Sequence, residues 1–291
     1  MKPFDSFDAL LAHCEKENCT ISQAAFAVEK AQSGREQSEI EANLDALMAQ
    51  MRQTIESGIA SDEKSMSGLS GGDAKKIMAF LNMDQCFLPP VTMRMIAYGL
   101  ATLEENSRMK KIVACPTAGG SGSVPALLIA LEHEHKTNPD KSKFGLATAG
   151  IIGQIVAQRM HLSGAAAGCQ AEVGVASGMA AAAAVETLGG APQQVLEAAA
   201  ISMQNLMGLV CDPVAGLVEV PCVVRNGISG VQAGVAATMA MAGVNSFIPL
   251  DEVVDAMAEV GRMMNPRLKE SAEGGLAQTP TAVEFTNKFF K

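Results

Sequence analysis

Ser163 to Glu186 reads SGAAAGCQAEVGVASGMAAAAAVE. Its second half is almost entirely Ala, Val, Gly and Met, which is the composition of a helix buried on all sides. Its first half breaks that pattern with Gly168, Cys169, Gln170 and Glu172, polar or turn-forming residues set abruptly into an apolar run. Such a stretch predicts a helical interior with one chemically distinct spot in it.

The same character extends outward. From Ile112 onward charges thin out while Gly and Ala multiply, and Pro192 suits the first turn of a helix running to about Met207. Asp251 is expected to cap a further helix, with Val253, Val254, Met257, Val260 and Met264 on one face. Thr281 and Glu284 form a capping-box pattern before a short last helix. Upstream, residues 5 to about 58 read as helices with polar faces, opened at Thr20 and Gln23 by another capping box. The segment SDEKSMSGLSGGDAKK (61–76) suggests a link or hairpin, with Asp73 capping the helix after it. Strand signals are few. The best, VEVPCVV (218–224), contains a proline. The expected fold class is mainly α, with few or no strands.

Composition narrows the function. The 291 residues include 46 Ala, 27 Gly and 18 Met but only 11 aromatic side chains, so small and flexible residues fill the core. A net charge of −9 argues against nucleic acid, whose phosphates call for clustered Lys and Arg. The charged first twenty residues hold no apolar signal core, so a cytoplasmic chain is expected. Gly227 to Leu250 is uncharged and long enough to span a bilayer, but Gln232, Asn245 and Pro249 and its Gly and Ala content favour a buried helix. No membrane association is expected.

Seven cysteines, an odd number, argue against a disulfide framework in a cytosolic chain. Cys14 and Cys19 are five apart, about 140° around a helix, and would not chelate together. Cys86 and Cys115 stand alone. Cys169, Cys211 and Cys222 each sit beside Gly, Pro or an abrupt polar residue, 42 and 11 positions apart. Thiolates that share one cluster must point at one spot, which turns at helix ends allow, although buried Cys is also an ordinary small hydrophobe. The loop Thr117-Ala-Gly-Gly-Ser-Gly-Ser123 precedes a helix from about Val124 to His135. It has neither the lysine of a nucleotide P-loop nor a preceding strand, so it reads as a cradle for a small carboxylate or phosphate, or as a tightly packed turn.

Taken together, CPTAGGSGSVPALL (115–128), GCQAEVG (168–174), CDPVAGLVEVPC (211–222), MNPRLKESAEGG (264–275) and LAQTPT (276–281) resemble the α subunit of the iron–sulfur-dependent L-serine dehydratases. The resemblance covers essentially the whole chain and is strongest from Pro116 to Pro280. It implies an L-serine ammonia-lyase, a carbon–nitrogen lyase of amino-acid degradation and gluconeogenesis that yields pyruvate and ammonia. It also implies a [4Fe-4S] cluster on Cys169, Cys211 and Cys222, whose open iron acts as Lewis acid. Thr117, Ser121, Gly122 and Ser123 fall in the family's substrate-binding loop. Gln170, Glu172, Arg225 and Asn226 flank ligand cysteines and are read as binding the substrate carboxylate, bonding cluster sulfurs or satisfying buried helix ends, Arg225 and Asn226 being carried as substrate-binding. The division expected is a helical segment over 1–70 and an iron–sulfur catalytic domain over 71–291.

Two-subunit relatives place a histidine-bearing part on a separate β chain, and nothing like it occurs here. A β subunit and a hetero-oligomer are therefore implied. Single-chain relatives carry a terminal cysteine that occupies the free iron, whereas no cysteine follows Cys222 in this sequence. The base for the α proton is left to His161 or a partner residue, and His133 and His135 read as solvated. A pyridoxal mechanism needs a buried lysine, and none lies between Lys143 and Lys269. The alternatives are a related cluster lyase such as an L-cysteine desulfidase, and a non-catalytic iron–sulfur or zinc subunit.

Overall fold

The computed structural model describes residues 2–291. Among them there is no strand. Three helices come first, α1 (Phe7–Glu17), α2 (Ile21–Ser33) and α3 (Gln37–Ala60), followed by α4 (Asp73–Phe80) and α5 (Pro90–Ser107). The middle of the chain forms α6 (Ser123–His135), α7 (Pro139–Arg159), the single turn α8 (Gly164–Ala167), α9 (Val175–Thr187) and α10 (Pro192–Leu206). The last three are α11 (Cys222–Met241), α12 (Leu250–Met263) and α13 (Pro280–Phe289).

At the centre lies α9. Twelve of its thirteen residues are buried, as its all-round apolar sequence requires, and α7, α10, α11 and α6 pack around it. Small residues let the backbones close in: a Cβ at Gly145 of α7 would lie 2.7 Å from the Ala183 carbonyl of α9. One continuous apolar cluster runs from Phe7 and Leu10 of α1 through α9 to Val253, Val254 and Met257 of α12. The α12 face expected from spacing is therefore the buried one.

Capping differs from the sequence expectation in three of four places. The Thr20–Gln23 box is present. Asp251, however, lies in the first turn of α12, not at its cap. Its carboxylate accepts the Phe7 and Asp8 amides, 3.1 and 3.0 Å away, and pairs with Arg159, so it caps α1 across 244 residues of sequence. Asp73 is already inside α4, whose cap is Gly72, and the Asp73 amide donates to the buried Glu104 carboxylate at 2.6 Å. α13 starts at Pro280, with Thr279 as cap, and Glu284 pairs with Lys288 instead of closing a box with Thr281. A distant carboxylate serves these amides as well as a local one.

VEVPCVV is not a strand. It is a turn leading into the first turn of α11, consistent with a proline that cannot donate to a ladder. α11 ends at Met241, and Phe247 beyond it is 92% exposed, so the uncharged run is not one helix. Among the described residues no helix is long and apolar enough to cross a membrane.

Candidate metal and substrate site

Irregular backbone gathers at one end of α9. The turn of α8 stops at Gly168, whose φ of +79° needs a glycine, and Cys169 follows as the cap of a π-helical turn, Gln170–Gly174, that leads directly into α9. Single π turns inside helices are common at functional sites. Gln170 holds this turn in place: its amide donates to the Met257 carbonyl at 2.8 Å and accepts from the Gly208 amide at 2.8 Å. Fully buried, the Gln170 side chain ties the π turn to α12 and to the segment after α10.

Cys211 arrives on an extended segment between α10 and α11. It forms an isolated parallel bridge with Lys269, its amide donating to the Leu268 carbonyl at 2.9 Å and its carbonyl accepting from Glu270 at 2.8 Å. Cys222 opens α11. All three cysteines are buried, and each thiol feels the other charges of the group. Burial pushes Cys169 up to about 11, against the pull of the Arg225 guanidinium, and Cys222 up to about 12. Cys211 is raised too, by burial first and then by Cys169 and Glu270. Buried neutral thiols like these become ligands when a cation displaces their protons.

A Cβ at Gly164 would stand 2.7 Å from Cys211 Sγ and 2.8 Å from a Glu172 carboxylate oxygen, so only glycine leaves that space open. Among the described residues, the metal-competent group whose ligand atoms all lie within 4.8 Å of one another is Glu172, Cys211 and Glu270. The three cysteines do not form so tight a group. Burial raises the Glu172 carboxyl, partly offset by the Thr117 hydroxyl, which donates at 2.7 Å.

The glycine loop wraps around this centre. Thr117, half-buried, reaches it through Glu172. Ser121 and Ser123 are fully buried, with hydroxyls on the Ala118 carbonyl at 2.8 Å and Ser229 at 2.6 Å. The Gly122 amide donates to Asn226 at 2.9 Å, while the Asn226 amide donates to the Gly119 carbonyl at 2.7 Å and the Cys222 carbonyl at 3.0 Å. Asn226 thus ties the loop to the first turn of α11. Arg225 bonds the Val210 carbonyl and Asp212, both at 2.9 Å, bracing the two residues on either side of Cys211.

His161 is exposed just past α7, and His133, also exposed, bonds Tyr98. Cys115 is buried before the loop, and burial alone pushes its thiol up to about 12. A cavity of about 440 Å³ between α2, α3 and α7, lined by Phe26, Ile40 and Leu146, contains none of these groups.

Two features escaped sequence reading. Ser65, Ser67 and Ser70 donate to the Glu219 carboxylate at 2.5, 2.7 and 2.6 Å, fastening the 61–76 turn segment three residues before Cys222. Glu270, inside MNPRLKESAEGG, is brought to Cys211 by the bridge that Cys211 forms with Lys269, 58 residues away. The signal available was the density of Ser, Gly and charge in both segments.

The family profile described as serine dehydratase alpha chain matches residues 16–277. The chain is 43% identical to the probable L-serine dehydratase alpha chain of Bacillus subtilis, over 99% of this chain and 95% of that one. It is 38% identical to the L-serine dehydratase alpha chain of Peptoniphilus asaccharolyticus, over 96% and 95% of the two. It is also 36% identical to the L-serine dehydratase of Streptomyces coelicolor, where 94% of this chain covers 61% of the longer protein.

Proposed function

The chain belongs to the serine dehydratase alpha-chain family, and on that premise we propose that it converts L-serine to pyruvate and ammonia around a [4Fe-4S] cluster held by Cys169, Cys211 and Cys222. What supports this reading is that Cys211 lies with Glu172 and Glu270 in one metal-competent group, that buried Cys169 and Cys222 are near enough to act on its thiol, and that Gly164 leaves the space beside Cys211 and Glu172 open. When bound, the cluster supplies an iron without a thiolate, a Lewis acid for the hydroxyl and carboxylate of serine.

The chain's own residues prepare that spot. Arg225 sets a positive charge beside Cys169, favouring the thiolate and offsetting the charge of an anionic centre. Thr117 orients Glu172 at the edge of the site. The interior bonds of Ser121, Gly122, Ser123 and Asn226 hold the glycine loop rigid, so that Thr117 meets substrate at a fixed place. Arg225 and the loop from Thr117 to Ser123 would form the substrate boundary. A weakly acidic α proton needs a positioned base, and we assign that role outside the buried core.

Relatives matched over 95% of their length are named as alpha chains, which supports a separate β chain as partner in a hetero-oligomer that we place in the cytoplasm. The test is pyruvate formation from L-serine, L-threonine and L-cysteine by anaerobically purified protein, with and without the candidate β chain. Serine should be preferred, the β chain required, and activity lost on prolonged exposure to air. Preference for cysteine would favour the desulfidase reading, and equal activity after air exposure would count against an exposed cluster iron.

A further inference from the structure

On the reading that Cys169, Cys211 and Cys222 hold a four-iron cluster, we propose that Glu270 is the resting protein ligand of the iron that has no thiolate. Its carboxylate belongs to the group in which Cys211 Sγ, Glu172 and Glu270 all lie within 4.8 Å of one another. The backbone fixes it there. The Glu270 amide donates to the carbonyl of Cys211 itself at 2.8 Å, and the Cys211 amide donates to the Leu268 carbonyl at 2.9 Å, so the main chains of the two residues are tied together.

The two carboxylates are held differently. Glu172 is engaged by the Thr117 hydroxyl, which fixes it as part of the wall. The Glu270 carboxylate, half-buried, takes no hydrogen bond and joins no ion pair among the described residues. Two carboxylates beside buried thiols repel one another until a cation lies between them. Glu270 also sits at φ +62°, a backbone region that residues other than glycine rarely adopt, so the fold holds this residue in an unfavourable conformation at this spot.

A carboxylate suits the one iron position that thiolates leave, and it is the same donor type as the carboxylate of serine. Substrate binding is then an exchange. The substrate carboxylate brings its oxygen pair to the iron, the Glu270 oxygen leaves with its own pair, and neither iron nor cluster changes oxidation state. Glu270 would shield the open iron between turnovers.

The test uses the anaerobically reconstituted enzyme with its β chain, labelled with glutamate carrying ¹³C at the side-chain carboxyl, its cluster reduced by one electron at low temperature. Electron–nuclear double resonance should show a ¹³C coupling in the resting enzyme that disappears with L-serine. Glu270→Gln should abolish the coupling and admit solvent, seen as a new coupling in ¹⁷O-water. Glu172→Gln should leave it in place. Glu270→Gln should also lose its fourth iron to a three-iron signal several-fold faster under mild oxidant. Absence of the ¹³C coupling in wild type, or an ¹⁷O coupling of equal strength in wild type and variant, overturns the proposal. Should Glu270→Gln retain no cluster, the label in wild type and Glu172→Gln still decides. A wild-type protein without any cluster would instead sink the functional reading.

Discussion

Gln170–Gly174 and Val175–Thr187 are consecutive in the chain and largely buried, yet they are built on opposite principles. The second is a regular helix whose Ala and Val side chains need nothing from their surroundings except close neighbours. The first is a π-helical turn between Cys169 and α9 that carries Glu172, and its backbone is held by Gln170 reaching to Met257 and Gly208. Around it stand Gly168 and Glu270 at positive φ and the isolated bridge between Cys211 and Lys269. One region stores stability, while the other keeps polar groups ready at a cost in strain and desolvation. Substitutions in the two regions should therefore fail in different ways.

The largest effect expected is from Gly164→Ala, whose new methyl falls on Cys211 Sγ and Glu172. Iron content and pyruvate formation should drop to background, with the melting temperature within a few degrees of wild type, by iron analysis and calorimetry. Retained iron would break the contrast. Next, Glu172→Gln removes the carboxylate that Thr117 orients, and should lower kcat about 10- to 100-fold with iron largely retained.

In the helical body the signs reverse. Gly178→Ala places a methyl against Met203 Cγ at 2.7 Å, and overpacking of this kind costs about 1–3 kcal/mol, at the lower end where a flexible Met can shift. Denaturant unfolding should show that loss, while activity per bound iron stays unchanged. Smallest is the pH effect at Glu104, a fully buried residue of α5 whose carboxylate meets the first amides of α4, where burial raises the carboxyl above 4.5 and the Asp73 and Ala74 amides oppose the shift. A raised folded value means that its contribution is complete below the ordinary carboxylate range and lost as pH rises through the shifted one. Wild type should therefore lose stability relative to Glu104→Gln as pH rises above about 4.5, and leave iron content untouched.

The same contrast explains what the sequence discloses. Helical composition is local, so α9, the buried face of α12 and the Thr20–Gln23 cap were readable, as was Pro192 at the start of α10. The proposed thiol set rests on the resemblance of its motifs to a family. Spacings of 42 and 11 have no geometry of their own. Asp251 capping α1, Ser65, Ser67 and Ser70 on Glu219, and Glu270 beside Cys211 are meetings of distant segments, and no periodicity announces them. VEVPCVV was misleading because β-branched residues that favour a strand in isolation here lead into a helix after Pro221.

On the proposed function, Cys169, Cys211 and Cys222 at this irregular end hold the centre that dehydrates serine. Its most direct measurement is iron and inorganic sulfide per chain, together with pyruvate formed from L-serine, for anaerobically purified wild type and for Cys169→Ser, Cys211→Ser and Cys222→Ser, each with the β chain. The account predicts about four of each atom in wild type and, in every variant, loss of a full cluster together with activity. Full serine turnover by a variant, or by wild type, that contains no iron would contradict it.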